Sequence, residues 1–198
     1  MEYVTHLSKD KKLKKLIDTH GAFNLKKRKD ICLHLVASIM SQQLSVKVAD
    51  VIYKRFLALF DNENPTPEMI LKINTEKLRS IGLSGAKTNY VQNVARFAIE
   101  QGLDSRKLGK MTNDELIDYL TQIKGVGRWT VEMQLMFTLG REDIFSIDDL
   151  GIQNAMKHIY KLDDTDKKKF KLELIRISSK WAPYRTYACM HFTPASSS

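Results

Sequence analysis

The stretch Lys124-Gly125-Val126-Gly127-Arg128-Trp129-Thr130 (KGVGRWT) separates two segments with helical patterning. Before it, Thr112 opens TNDELIDYLTQI, with Glu115 placed to complete a capping box. After it, helical spacing resumes through Leu139, and Gly140 stops it. Two helices joined by Gly-x-Gly make a tight hairpin whose glycines permit positive φ and close approach of another backbone. The second helix begins with amides that lack intrahelical acceptors, a natural phosphate seat. Arg128 adds a charge beside that seat, and Thr130 adds a hydroxyl. An ordinary helix–helix turn uses the same residues, so the pattern alone leaves both readings open.

Outward from the hairpin, apolar residues recur at helical rather than alternating spacing. Ile31, Leu35, Ile39 and Leu44 form one stripe, and Val48, Ile52, Phe56 and Phe60 form the next. In NPTPEMI, Thr66 is an N-cap with Pro67 at the first helical position. Gly82 ends the following helix, and Ser84 caps a stretch through Gln101. Asp148 or Asp149 caps a helix to about Tyr160. The spacing predicts about ten helices and no strand, an all-α class. The runs SKDKKLKK, LKKRKD and DKKKFK read as solvated helix faces, and the tail TPASSS is expected to fray.

A chain of 198 residues with 43% hydrophobic content can bury a real core. Lys plus Arg number 32 against 23 for Asp plus Glu, a formal charge of +9, which favours a polyanionic partner. Two cysteines, Cys32 and Cys189, are too few for a disulfide framework or a four-cysteine metal site. The histidines His34, His158 and His191 lack ligand spacing. The N-terminus has no signal-peptide core and no apolar run reaches the ~20 residues of a membrane span, so a soluble intracellular protein is expected.

About twenty residues beyond the hairpin, DIFSIDDLGIQNA places Asp148 and Asp149 at the start of a helix. One carboxylate suffices for a cap, which leaves the other to explain. Spacing does not say which is which.

These residues carry a family resemblance. LTQIKGVGRWTVEMQLMFTLGREDIFSIDDLGIQNAM, with LVASIMSQQLSVKVA and LRSIGLSGAKTNYVQNVA upstream and WAPYRTYACMHF downstream, resembles the helix-hairpin-helix DNA glycosylase superfamily. Within it the similarity is to the 3-methyladenine DNA glycosylase II type, over roughly residues 25–193. The resemblance implies two helical subdomains flanking a cleft: a central one at about 40–145, with the hairpin at 120–130, and a second from 1–39 and 146–198. The β-rich N-terminal domain of larger members is not expected here.

The resemblance also implies roles. Gly125, Val126 and Gly127, with Arg128 and Thr130, would hold backbone phosphate, and Na+ or K+ would sit at the carbonyls of residues 123–127. No other cofactor or metal is expected. Asp149, not Asp148, matches the catalytic aspartate. Trp129 stands where strand-cleaving members carry a lysine, which implies a monofunctional hydrolase that leaves an abasic site. Met133 and Leu150 replace tyrosines frequent in relatives, and with Trp129 and Phe192 they would line the base pocket. Gln42 and Gln43 fall in the loop entering the gap left by the flipped nucleotide, with Gln43 filling it.

The implied function is excision of 3-methyladenine and 7-methylguanine from double-stranded DNA by a monomer, in the nucleoid of a prokaryote or the nucleus of a eukaryote. A glycosylase for ethenoadenine, hypoxanthine or an oxidised base, and a non-catalytic module that binds damaged DNA, are the alternatives.

Overall fold

Short polar side chains start most of the described helices, each accepting from backbone amides in the first turn. The computed structural model describes residues 1–61 and 63–192; the tail expected to fray, 193–198, lies outside them. The described residues form thirteen α-helices and one 3₁₀ turn, with no strand. In chain order these are α1 (Glu2–Leu7), α2 (Lys11–His20), α3 (Ile31–Ser41), α4 (Val46–Leu57), α5 (Pro67–Lys72), α6 (Thr75–Ser80) and α7 (Gly85–Glu100). There follow α8 (Ser105–Gly109), α9 (Asn113–Leu120), α10 (Arg128–Phe137), α11 (Leu150–Tyr160), α12 (Lys167–Ser178), the 3₁₀ turn Ser179–Trp181 and α13 (Arg185–Phe192).

The expected caps form. Thr66 accepts from Met69 N ahead of Pro67, Ser84 accepts from Lys87 N, and Thr112 with Glu115 makes the reciprocal capping box. The three beyond the expected ten are α1, α2 and α8: α2 begins in a lysine-rich run read as a solvated face, and α1 and α8 are only six and five residues long. Periodicity needs two or more turns to register.

The chain divides into two compact units, one of residues 28–134 and one of residues 1–27 with 135–198. These boundaries fall nearer the N-terminus than the expected 39/40 and 145/146.

In the unit of residues 28–134, α7 packs on α3, α5 and α6, and α3 supplies much of the core. Its Ile31, Leu35, Val36, Ile39 and Met40 are buried, and it packs on α4 and α7. The buried Gln134 of α10 donates to Ser38 Oγ at 2.7 Å, a polar tie to α3. Two members of the expected stripes depart from them. Leu44 is 37% exposed because α3 has already ended at Ser41, and Val48 is 46% exposed in the first turn of α4.

In the other unit the two chain ends pack together. Asp10 joins them: one carboxylate oxygen caps α2 through Lys12 N, and the other accepts from Tyr160 Oη at 2.7 Å and Trp181 Nε1 at 3.3 Å. Burial draws the Asp10 carboxyl up, but these donors outweigh it and hold it below the usual carboxylate range. Trp181 is fully buried, and Tyr187 stacks on Tyr3 at 3.9 Å. These aromatics pack within this unit.

Candidate functional site

The hairpin is built as the sequence proposes, but its two glycines do different things. Gly125 has φ +104°, and a Cβ there would lie 2.2 Å from Tyr90 Cγ. The turn closes through Val126 N donating to Ile123 O at 2.9 Å, and the Val126 side chain is buried. Gly127 is outside the left-handed region and faces open space. Its carbonyl accepts the first intrahelical bond, from Val131 N at 3.1 Å, so Gly127 occupies the N-cap position of α10. Gly125→Ala is therefore expected to cost about 2 kcal/mol or more, lowering the thermal midpoint by roughly 4–8 °C. Thermal unfolding of the variant checks this.

The residues after the glycines also divide. Arg128 is mostly exposed and its Nε donates to Glu132 Oε1 at 3.0 Å. Trp129 is 40% exposed on α10, although a tryptophan in such a helix belongs in the core by composition alone. Met133 is half-buried one turn later. Thr130 departs from the expectation that its hydroxyl extends the phosphate seat. It is 3% exposed, and Oγ1 accepts from Gln42 Nε2 at 3.4 Å. Its position three residues past the N-cap turns it inward, toward the loop after α3.

That loop carries the two glutamines. Gln42 also donates to Gly125 O at 3.3 Å, so it is tied to the hairpin, while Gln43 is exposed with φ +60°. Sequence reasoning missed the partner that holds this loop: Lys87 Nζ donates to Met40 O at 2.9 Å and Gln42 O at 2.5 Å. Its only sequence signal is a lysine in the first turn of a helix, where the helix dipole disfavours a cation.

The remaining predicted residues lie in the other unit. Asp149 is the N-cap of α11, its Oδ1 accepting from Ile152 N at 2.9 Å. Asp148 is exposed and pairs with Lys171 at 2.5 Å. The expected division, one acid for the cap and the other left over for chemistry, is thus corrected: the residue matching the catalytic aspartate is itself the cap.

The segment leading to Asp149 is anchored. Arg185 makes a bidentate pair with Asp143 (Nε–Oδ1 2.6 Å, Nη2–Oδ2 2.9 Å), and Ile144 N donates to Thr186 Oγ1 at 3.0 Å. Burial draws the Asp143 carboxyl pKa up, but the Arg185 guanidinium outweighs it and holds it below the ordinary value. Leu150 is 72% exposed at the first helical position, whereas Phe192 is 8% exposed and packs on Trp181 at 5.4 Å.

Two cavities are lined by none of the predicted site residues. One of about 250 Å³ is lined by Glu2, Tyr3, Phe23, Glu142, Tyr184 and Tyr187; the other, of about 360 Å³, is lined by Asp30, Cys32, Pro67 and Leu103 among others. Among the described residues no cluster of His, Cys, Asp and Glu could hold a metal ion, and no helix is long and apolar enough to cross a membrane.

Known proteins match this arrangement. Residues 36–180 match the HhH-GPD superfamily base excision DNA repair protein family. The DNA-3-methyladenine glycosylase 1 of Schizosaccharomyces pombe is 35% identical over 183 residues, covering 91% of this chain and 79% of that protein. The structure of a 3-methyladenine DNA glycosylase from the same yeast in complex with abasic DNA superposes with a TM-score of 0.86 at 33% identity, covering 97% of this chain and 95% of that one. A DNA-3-methyladenine glycosidase from Bacillus halodurans gives 0.82 at 35% identity, covering 97% and 88%. With the hairpin at its centre and the match spanning most of its length, the chain belongs to the HhH-GPD superfamily of base excision DNA repair proteins.

Proposed function

We infer that this protein is a monofunctional DNA glycosylase that everts alkylated purines, 3-methyladenine and 7-methylguanine, from duplex DNA and hydrolyses their N-glycosidic bond. The observation that carries this reading is the near-full-length likeness to a yeast 3-methyladenine glycosylase in complex with abasic DNA. Its place of action is wherever the cell keeps its DNA, nucleoid or nucleus.

The chemistry suits a carboxylate at Asp149. As C1′–N breaks, positive charge develops on the sugar, and an ionised carboxylate stabilises it and orients the attacking water. The water oxygen bonds to C1′, the purine leaves with the bonding electron pair, and the water proton passes to solvent. An alkylated purine is already cationic, so it leaves neutral without further protonation. Eversion costs a few kcal/mol, less for a damaged base. Trp129 supplies an exposed aromatic face on which an electron-poor base can stack. With tryptophan rather than lysine at this position, no covalent imine with the sugar is expected, and borohydride should trap no adduct.

The hairpin suits phosphate. This chain's own atoms explain Gly125 but leave the space at Gly127 open. A phosphate approaching the α10 N-terminus would use that space. Gly127→Ala is therefore expected to keep its stability within ~1 kcal/mol while weakening duplex binding roughly five- to tenfold at fixed salt, read by fluorescence titration. Na+ or K+ at the hairpin would share carbonyls already accepting from Val126 N (Ile123), Asn93 (Lys124) and Gln42 (Gly125). Each carbonyl has a second lone pair, so the oxygens suit a hard monovalent ion, which would add positive charge for phosphate.

The aliphatic Met133 and the exposed Leu150 favour a second reading, in which the preferred lesion is ethenoadenine, hypoxanthine or an oxidised base. Base release from single-lesion duplexes tests both: fastest release of 7-methylguanine and 3-methyladenine supports the first. Binding without release of any base would leave only a damage-recognition module.

A further inference from the structure

Lys87 is oddly placed for a surface lysine. It sits in the first turn of α7 with its side chain half-buried, and burial pulls its ammonium pKa down. Its Nζ donates to the carbonyls of Met40 and Gln42, where α3 has run out of its own amide donors. The Gln42 side chain runs the other way, to Gly125 O and Thr130 Oγ1 of the hairpin. Between these two struts the next residue, Gln43, is held at φ +60° with its side chain in solvent. A non-glycine residue keeps such a conformation only where its surroundings over-determine it.

We propose that Lys87 is a positioning residue for nucleotide eversion: its ammonium and the Gln42 amide brace the loop after α3 against the hairpin, so that Gln43 is presented in one conformation. The inference rests on the reading of Gln43 as the residue that fills the gap. Without the ammonium, the Met40 and Gln42 carbonyls lose their shared donor and Gln43 samples other backbone conformations. The hairpin keeps its hold on phosphate, so everted and stacked states lose their energy difference while general DNA affinity is unchanged.

The test uses Lys87→Met, Gln43→Ala and the double variant. Eversion is read from the fluorescence of 2-aminopurine stacked beside the target nucleotide, a signal that needs no base release. Single-turnover release is read from 7-methylguanine paired with cytosine and from the same lesion opposite an abasic analogue, where eversion is cheaper. Lys87→Met is expected to lower release about tenfold on the paired lesion and under about threefold on the unpaired one, with a matching loss of the fluorescence signal. It should add nothing in the Gln43→Ala background. Equal loss on both substrates, or losses that multiply with an active Gln43→Ala effect, would overturn the inference alone. A Gln43→Ala variant that everts and releases like wild type would overturn it together with the gap-filling reading. Wild type that everts but releases no base would overturn the proposed reaction and leave the fluorescence comparison to decide this one. If Lys87→Met does not fold, Gln42→Leu removes the other strut and is held to the same outcomes.

Discussion

Asp149→Asn is expected to slow release of 7-methylguanine from duplex DNA by about 10²- to 10³-fold, roughly 3–4 kcal/mol of transition-state stabilisation. Its thermal midpoint should move by less than ~2 °C. The two effects separate because Asp149 is the N-cap of α11, accepting from Ile152 N through Oδ1. Asparagine caps as well as aspartate, so the helix start survives. What disappears is the negative charge, which a neutral amide cannot offer to a cationic sugar. Asp149→Ala would lose the cap as well, about 1 kcal/mol and ~2–4 °C. Asp148→Asn serves as the contrast: it gives up only an exposed ion pair with Lys171, and release should stay within about twofold. Single-turnover release with the three variants decides the matter. A wild-type rate for Asp149→Asn would sink the catalytic assignment.

The second large effect concerns stability in mild acid. His191 of α13 is 1% exposed, lies 4.6 Å from the Phe23 ring and stacks on His20 at 5.8 Å, and neither ring nitrogen has a hydrogen-bond partner among the described residues. Burial pushes its pKa down from 6.5 to about 4, with His20 adding in the same direction. The unfolded chain therefore takes up a proton near pH 6.5 that the folded chain refuses until about pH 4. Stability is complete above that window, falls as pH drops through it, and levels off for this group below it. The loss amounts to about 2–3 kcal/mol. His191→Phe removes the proton site while keeping a ring beside Phe23. Urea unfolding at pH 7 and 4.5 should show wild type losing about 2–3 kcal/mol more than the variant. His34, also lowered by burial, titrates in both proteins and cancels. Equal losses in the two proteins would exclude His191 as the source.

The parts of this fold written within one helical turn were readable. Thr112 with Glu115, Thr66 with Pro67, and Ser84 announce helix starts because donor and acceptor are three residues apart. The family likewise followed from motif order, and the matched residues 36–180 bear it out. What was hidden depends on partners distant in sequence. Asp148 pairs with Lys171, 23 residues away, and Thr130 meets Gln42, 88 residues away. Gly125 and Gly127 look equivalent as letters, yet only Gly125 meets Tyr90. The solvent exposure of Leu44 and Val48 escaped the periodicity because both stand near a helix boundary, where spacing no longer reports a face.

The ties from Asp10 to Tyr160 and Trp181 can form only once residues 160 and 181 have been synthesised. Residues 28–134 form one compact unit from a continuous stretch and can fold as soon as they leave the ribosome. Residues 1–27 emerge earlier but find their partners only after residue 134. At ~5–20 residues per second, those 107 intervening residues correspond to a wait of roughly 5–20 s. Through that interval α2, with its Leu13 and Ile17, lacks α13, which packs on it in the finished unit. Residues 1–27 therefore wait on a segment made later, and the core of their unit stays open until it arrives.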